Sequence, residues 1–518
     1  MKALLDAIIR LKYLNSIPPE LFLILLAIYA YDAFRSQRFI LYVFPLHISI
    51  NLYLRITQSI TLNMVELLAW LMFAVWAWKK VRRWWRKEPS QASEEQTGMD
   101  RISQQIKRIG QIIRANPLNL LNPLTKEVAW KSPLAIALLV YLFSYVAYLV
   151  NSPLGEETVK QLARAAEIGI TFFVLQDIIA TRQDARVITT SLLASSLFVG
   201  LLAWYQRFFI QDLNAYYRHV GTLVDLALLP RIPWWYDNFV ELSPVVRVGA
   251  NIDPGGLSTG IYLPPVILLA LLATWWATGK TFLRLWAKRL SLLALALLLA
   301  GALLFTLSRS GVYAFAGALA LVILLVSPKY GKYLLLAGIG VGIVILLVAP
   351  RFTGNYALSR ILSQSRDAIS SSQGRLIRVE QSWAIIKRAP LLGAGYTSFG
   401  NRPSQVFPHN QFLAAFQGRG IVAFLSLLAV FVFAAWKGWK GYRAAPDRVV
   451  RGLAIWNLGV LASYFLHGLA HTPLDEIQIG ATFWLALALI EGMEKTLLAE
   501  RRQNEQAERD HSSAHYAL

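Results

Sequence analysis

Apolar runs close to twenty residues long recur from one end of this chain to the other, and that spacing leaves it few folds to choose from. In a bilayer only α-helices and closed β-barrels satisfy every backbone N–H and C=O internally. A barrel strand would read as about ten residues of alternating polarity, whereas residues 292–307, LLALALLLAGALLFTL, are apolar on every face. With 56% hydrophobic residues over 518 positions, the sequence predicts an all-α polytopic membrane protein. The first strongly apolar run begins near Glu20, after a basic start without a small-residue cleavage site, so the N-terminus is expected to be retained. The chain has no cysteine. Disulfides, thiolate metal sites and cysteine nucleophiles are thereby excluded, and any chemistry falls to His, Arg, carboxylates and hydroxyls.

A net charge of +21 would point to nucleic acid in a soluble protein, but here the basic residues lie mostly between spans, and no nucleic-acid partner is expected. Residues 79–131 carry twelve Lys and Arg against five acids, which marks a cytoplasmic loop. The same rule puts Lys280–Arg289, Pro328–Lys332 and Lys437–Arg451 on the cytoplasmic side. Spans are predicted near 20–34, 39–54, 62–78, 133–150, 166–181, 187–205, 257–278, 291–307, 311–327, 333–349, 410–436, 452–470 and 479–495. Because the first two are short, the count is twelve or thirteen. The expected organisation is an N-terminal group of spans with its basic loop (1–131), a central bundle (132–349) carrying an outside loop at 207–256, a large outside loop (350–409), the C-terminal spans (410–497) and a cytoplasmic tail (498–518).

The loop 350–409 breaks the charge rule. It holds eight basic residues against Asp367 and Glu380, on the side where positive charge is normally sparse. Charge alone fits a basic face on anionic headgroups as well as an anionic substrate; patterning favours the substrate. Leu376, Val379, Trp383 and Ile386 fall at helical spacing and predict an amphipathic helix over 374–389, lying against the bundle or in the interface. Arg375 and Arg378 stand one turn apart beside that stripe, and guanidinium forks match phosphate oxygens. Pro390 ends the helix, and Gly393 and Gly395 suit a tight turn with exposed backbone amides. His409 and Asn410 stand where the loop re-enters the membrane, a place suited to a general base and to acceptor contacts.

Two further stretches carry polar chemistry. Between two apolar helices lies Thr306-Leu-Ser-Arg-Ser-Gly311, which buries Arg309 near the outer boundary, where a charge is costly without an anionic partner or a route to the interface. The run from Arg247 through Asp253-Pro-Gly-Gly to Gly260 suits a turn before a helix N-terminus that binds an anion. In the loop 207–256, Trp234 and Trp235 fit either sugar stacking or interfacial anchoring. His471 and Asp475, in the last outer turn, can position an acceptor or orient His409.

Taken in order, Arg247–Gly260, Ser308–Gly311 and the Arg375…Trp…Pro-Leu-Leu-Gly-Ala-Gly…His-Asn410 run resemble the bacterial O-antigen ligase and O-antigen polymerase family of integral membrane glycosyltransferases, over roughly residues 200–430. Gly418 and Gly420 stand near the family's glycine pair after His-Asn. The resemblance implies a GT-C-like all-α membrane fold of about 12–13 transmembrane helices with a large periplasmic loop containing amphipathic helices, in a bacterial inner membrane. It further implies an undecaprenyl-diphosphate-linked glycan as donor at the periplasmic face, and lipid A–core or a second lipid-linked glycan as acceptor. A leaving diphosphate requires positive charge where negative charge accumulates. The outside loops contain no Asp-x-Asp motif, so no metal cofactor is expected. Arg309, Arg375, Arg378 and Arg247 would hold the diphosphate, His409 would take the acceptor proton, and the anomeric centre would invert. A flippase would instead be expected to show repeated halves with broken helices, and no such repeat is visible.

Overall fold

The computed structural model describes residues 19–49, 53–55, 61–86, 132–152, 156–209, 257–279, 281–306, 308–333, 336, 366–395, 408–474 and 480–494. Three helices come first: α1 (Pro19–Arg35), α2 (Phe39–Ser49) and α3 (Met64–Arg86). α2 stops at Ser49, short of the span expected over 39–54, because the chain enters a two-stranded antiparallel hairpin of β1 (Tyr53–Arg55) and β2 (Thr61–Asn63). Helix α3 runs through Lys79, Lys80, Arg82, Arg83 and Arg86, so part of the expected basic loop is helical.

The central helices are α4 (Pro133–Phe143), continued through a 3₁₀ turn at Ser144–Val146 into α5 (Ala147–Asn151), then α6 (Glu156–Ile178), α7 (Arg182–Phe209), α8 (Leu257–Trp276), α9 (Phe282–Phe305) and α10 (Arg309–Val326). Outside the span pattern lies α11 (Arg366–Arg388), eight residues longer at its start than the expected 374–389. The bundle ends with α12 (Gln411–Ala444), α13 (Arg448–Gly468) and a helix α14 over residues 480–494. Among the described residues, seven helices are long and apolar enough to cross a membrane. The protein is therefore an all-α polytopic membrane protein with one small hairpin. The expected span at 333–349 and the tail from 498 lie outside the described residues, as does most of the loop 207–256.

The packing shows which ends of the helices share a level. Helix α13 runs through the middle of the bundle, with Trp456 and Tyr464 fully buried and the Trp456 indole donating to the Pro265 carbonyl of α8. At one end Asp447 caps α13 and pairs with Arg182 at the start of α7, while Lys437 of α12 is held by Glu491 and Glu494 of α14 at 2.5 and 2.6 Å. At the other end meet the start of α8, the α9–α10 junction, the start of α12, the end of α13, the end of α5 and helix α11. This second end carries the polar residues singled out in the sequence.

Candidate functional site

The α9–α10 junction is built by hydroxyl caps. Ser308 caps α10 by accepting from the Gly311 amide at 3.2 Å, and Thr306 accepts from the Ser308 amide at 3.2 Å, which satisfies donors that a helix start otherwise leaves open. Arg309 is the first residue of the helix so capped. The start of α8 lies directly against this turn: a side chain at Gly260 would run into Ser308, and one at Gly311 into the Gly260 carbonyl. The Ser-Arg-Ser-Gly motif and the end of the Asp-Pro-Gly-Gly…Gly260 motif are therefore neighbours. Arg309 is half-buried, where the sequence suggested full burial, since a first-turn residue keeps one side on the rim.

A second seam joins the start of α12 to the end of α13. The Asn410 carboxamide caps α12 through the amides of Phe412 and Leu413 at 3.0 Å each and donates to the Leu469 carbonyl at 3.1 Å. Gln411 accepts from the Leu474 amide at 2.9 Å, and Gly468 leaves room for Gln411 and Phe412. Both ends of the Asn410 side chain thus serve the fold. The seam brings His409 beside His471, with ring centroids 6.0 Å apart, and His471 beside the fully buried His467 at 6.0 Å.

Helix α11 brings the arginines to this place. Arg375 donates through Nη2 to Nε2 of His471 at 3.3 Å. A guanidinium can only donate, so that nitrogen accepts and the neutral ring carries its proton on Nδ1. Burial, reinforced by Arg378 and Arg375, pulls the His409 imidazole down to about 4. Burial followed by Arg375, His467, His409 and Arg309 holds His471 well below the usual imidazole range. Both rings are thereby neutral in the resting protein. Arg309, Arg375, Arg378, His409 and His471 form one electrostatic unit, although they come from four separate stretches of chain.

The turn after α11 departs from expectation. Gly393 and Gly395 do adopt positive φ, but their amides are not exposed. Helix α12 is broken at Gly420 (φ 81°, ψ −171°), and the turn fills the break. The Ile421 amide donates to the Pro390 carbonyl at 2.9 Å, while the Ala394 and Gly395 amides donate to the Gln417 and Gly418 carbonyls at 2.7 and 3.2 Å. The turn thus supplies partners for the Ile421 amide and for the Gln417 and Gly418 carbonyls, which a low-dielectric surrounding makes costly to leave open. Asn151 at the end of α5 holds the plug by donating to the Leu392 and Gly393 carbonyls at 2.8 and 3.0 Å. A side chain at Gly420 would overlap the Leu391 carbonyl, in a backbone region that only glycine adopts without strain of order 1–3 kcal/mol. Gly420→Ala is accordingly expected to lower the midpoint of thermal unfolding in detergent by several degrees and to abolish whatever activity the site supports; an unchanged midpoint would show the break to be dispensable.

Beside the break sits a residue that sequence reasoning passed over. Arg419, 2% exposed, donates to the Tyr141 hydroxyl at 2.9 Å and to Ser144 at 3.4 Å, with its guanidinium 3.8 Å from the Tyr145 ring centroid and 4.5 Å from that of Tyr141. Cation–π contact of this kind compensates an arginine for lost water. The available signal was Gly-Arg-Gly at 418–420, a charge between two helix breakers in an apolar span. Arg247, Trp234, Trp235 and Asp475 lie outside the described residues. Among the described residues no group of three His, Cys, Asp or Glu side chains is placed to share a metal ion.

Residues 293–428 match the family model described as O-antigen ligase. That stretch of the chain is similar to the O-antigen ligase family. The match covers just over a quarter of the chain and runs from within α9 to within α12, so the matched stretch includes Arg309, Arg375, Arg378, His409 and the Gly418–Gly420 break. His467 and His471, which complete the electrostatic unit, lie beyond it. No curated protein matches the chain.

Proposed function

We propose that the protein is an O-antigen ligase-type glycosyltransferase that moves a glycan from undecaprenyl diphosphate to a sugar hydroxyl of lipid A–core, at the periplasmic face of a bacterial inner membrane and without a metal. The observation that carries this reading is the meeting of three arginines with a neutral, half-buried histidine at one end of the bundle. In the reaction the acceptor oxygen attacks the anomeric carbon as the carbon–oxygen bond to the diphosphate breaks. His409 takes the acceptor proton, and Arg309, Arg375 and Arg378 hold the charge that gathers on the leaving diphosphate. Direct displacement inverts the anomeric configuration. Charge-assisted hydrogen bonds are worth about 1.5–3 kcal/mol each, so three arginines match the role that a divalent ion plays elsewhere.

The deciding assay supplies purified protein with a polyprenyl-diphosphate oligosaccharide and offers lipid A–core or a second lipid-linked glycan as acceptor, with and without chelator. Transfer to lipid A–core with an inverted linkage, undiminished by chelator, is expected. Elongation of the lipid-linked glycan instead would make the protein a polymerase of the same family. No transfer to either acceptor would overturn the reading, and a retained linkage would rule out direct displacement.

A further inference from the structure

The amphipathic helix α11 faces the wrong way for a helix that packs on a bundle. Its inward side carries Arg375, Arg378 and the buried Ser382 and Ile386, while three of the four residues of its apolar stripe point outward: Leu376 is 62% exposed, Trp383 48% and Val379 38%. A side chain as large as Trp or Leu left in water forfeits about 1.5–3 kcal/mol of transfer free energy. The outward face therefore calls for an apolar occupant.

The surroundings say which. At 100° per residue, Leu376 and Val379 follow Arg375 and Arg378 around the helix, so the apolar flank begins one residue from each arginine of the site. The stripe then continues onto α12: Trp383 meets Phe416 edge to face with centroids 6.3 Å apart, and Phe416 stacks on Phe424 at 5.3 Å. Further along α12 the outward residues Val422, Leu425, Val432 and Trp436 are exposed, as membrane-facing residues should be. From Phe416 to Trp436 is about 30 Å of helix, the thickness of a bilayer hydrocarbon core. A cationic head site flanked by exposed apolar residues of α11, with a row of exposed apolar residues along the neighbouring α12, fits a molecule whose diphosphate is bonded directly to a long hydrocarbon.

We infer that the outward flank of α11 and the strip of α12 below it form the track for the polyprenyl tail of the lipid-linked donor, with Trp383 as its entry contact. This rests on the reading of the site as a diphosphate-glycan transferase and adds where the tail lies. Bulk phospholipid is the competing cover, and it would coat the strip without responding to the donor.

Donors that differ only in tail length separate these outcomes. With a long polyprenyl and a short prenyl diphosphate carrying the same oligosaccharide, Trp383→Ser and Leu376→Ser are each expected to lower kcat/KM for the long-chain donor about tenfold, in line with the loss of one large apolar contact. The short-chain donor should change less than about twofold. Equal losses with both donors, or no loss with either, would overturn the track. A diazirine-bearing polyprenyl diphosphate supplies a second readout that needs no turnover. Labelling within residues 376–383 and 416–425 that is competed by unlabelled polyprenyl diphosphate but not by phospholipid supports the track, and labelling that neither competes marks a face covered by bulk lipid and overturns it. If the parent labels there with competition yet transfers no sugar, the proposed reaction fails while the lipid site stands.

Discussion

His409→Gln is expected to lower kcat by about 10²–10⁴-fold while leaving the donor KM nearly unchanged. Glutamine keeps the size and a hydrogen-bonding end but cannot accept the acceptor proton. The pH profile gives a sharper form of the same test. In the resting protein burial, Arg378 and Arg375 hold the imidazole at about 4, so it is neutral, and able to act as a base, at every pH above that value. The acid limb of kcat/KM for the donor, which reports the free enzyme, should accordingly lie near pH 4 instead of near 6.5.

A base so weak would be a poor proton acceptor, and the bound donor resolves the difficulty. A diphosphate placed against Arg375 and Arg378 cancels part of the field that depresses His409, so the imidazole strengthens as a base only when there is something to deprotonate for. The acid limb of kcat, which reports the complex, should then sit at higher pH than that of kcat/KM. Removing one of the depressing charges with Arg378→Gln should move the kcat/KM limb upward. Coincident limbs, or a limb unmoved in Arg378→Gln, would mean that His409 does not feel the arginines as the geometry requires. An unchanged kcat in His409→Gln would remove the residue from the reaction.

The membrane bundle was legible because runs of about twenty apolar residues leave a backbone few ways to satisfy its polar groups in a bilayer. Arg309, Arg375, Arg378 and His409 stood out for a related reason: a membrane chain has no general use for cations at those points. What stayed hidden depends on contacts between distant segments. The amides of Gly393 and Gly395 looked available, yet the Gly393 amide closes the end of α11 on the Ala389 carbonyl, and the Gly395 amide pairs with the Gly418 carbonyl beside the break at Gly420, some twenty-five residues on. Arg419 went unremarked in the sequence because the three tyrosines that surround it come from the distant α4–α5 stretch. The orientation of α11 was equally out of reach, since periodicity shows that a helix has two faces but not which face the bundle takes. There the arginines won the inward side, leaving Leu376 and Trp383 outside.

Arg309→Ala should cost about 10²–10³ in kcat, the usual loss when one preorganised donor to a developing anion is removed. Arg375→Ala should cost at least as much, because that side chain also holds His471 through the 3.3 Å hydrogen bond. The lysine variants separate charge from shape. At position 309, Arg309→Lys should recover part of the activity, since a point charge still stabilises the leaving diphosphate. At position 375 a lysine cannot present a fork to phosphate and imidazole together, so Arg375→Lys should stay close to Arg375→Ala. His471→Gln then tests whether the second role is real: if His471 serves to hold Arg375, its loss should raise the donor KM and should add little on top of Arg375→Ala, because residues acting through one contact are not additive. Full additivity of those two changes would separate His471 from Arg375, and an Arg309→Ala enzyme within about threefold of the parent, far less than one such donor is worth, would take the α9–α10 junction out of the site.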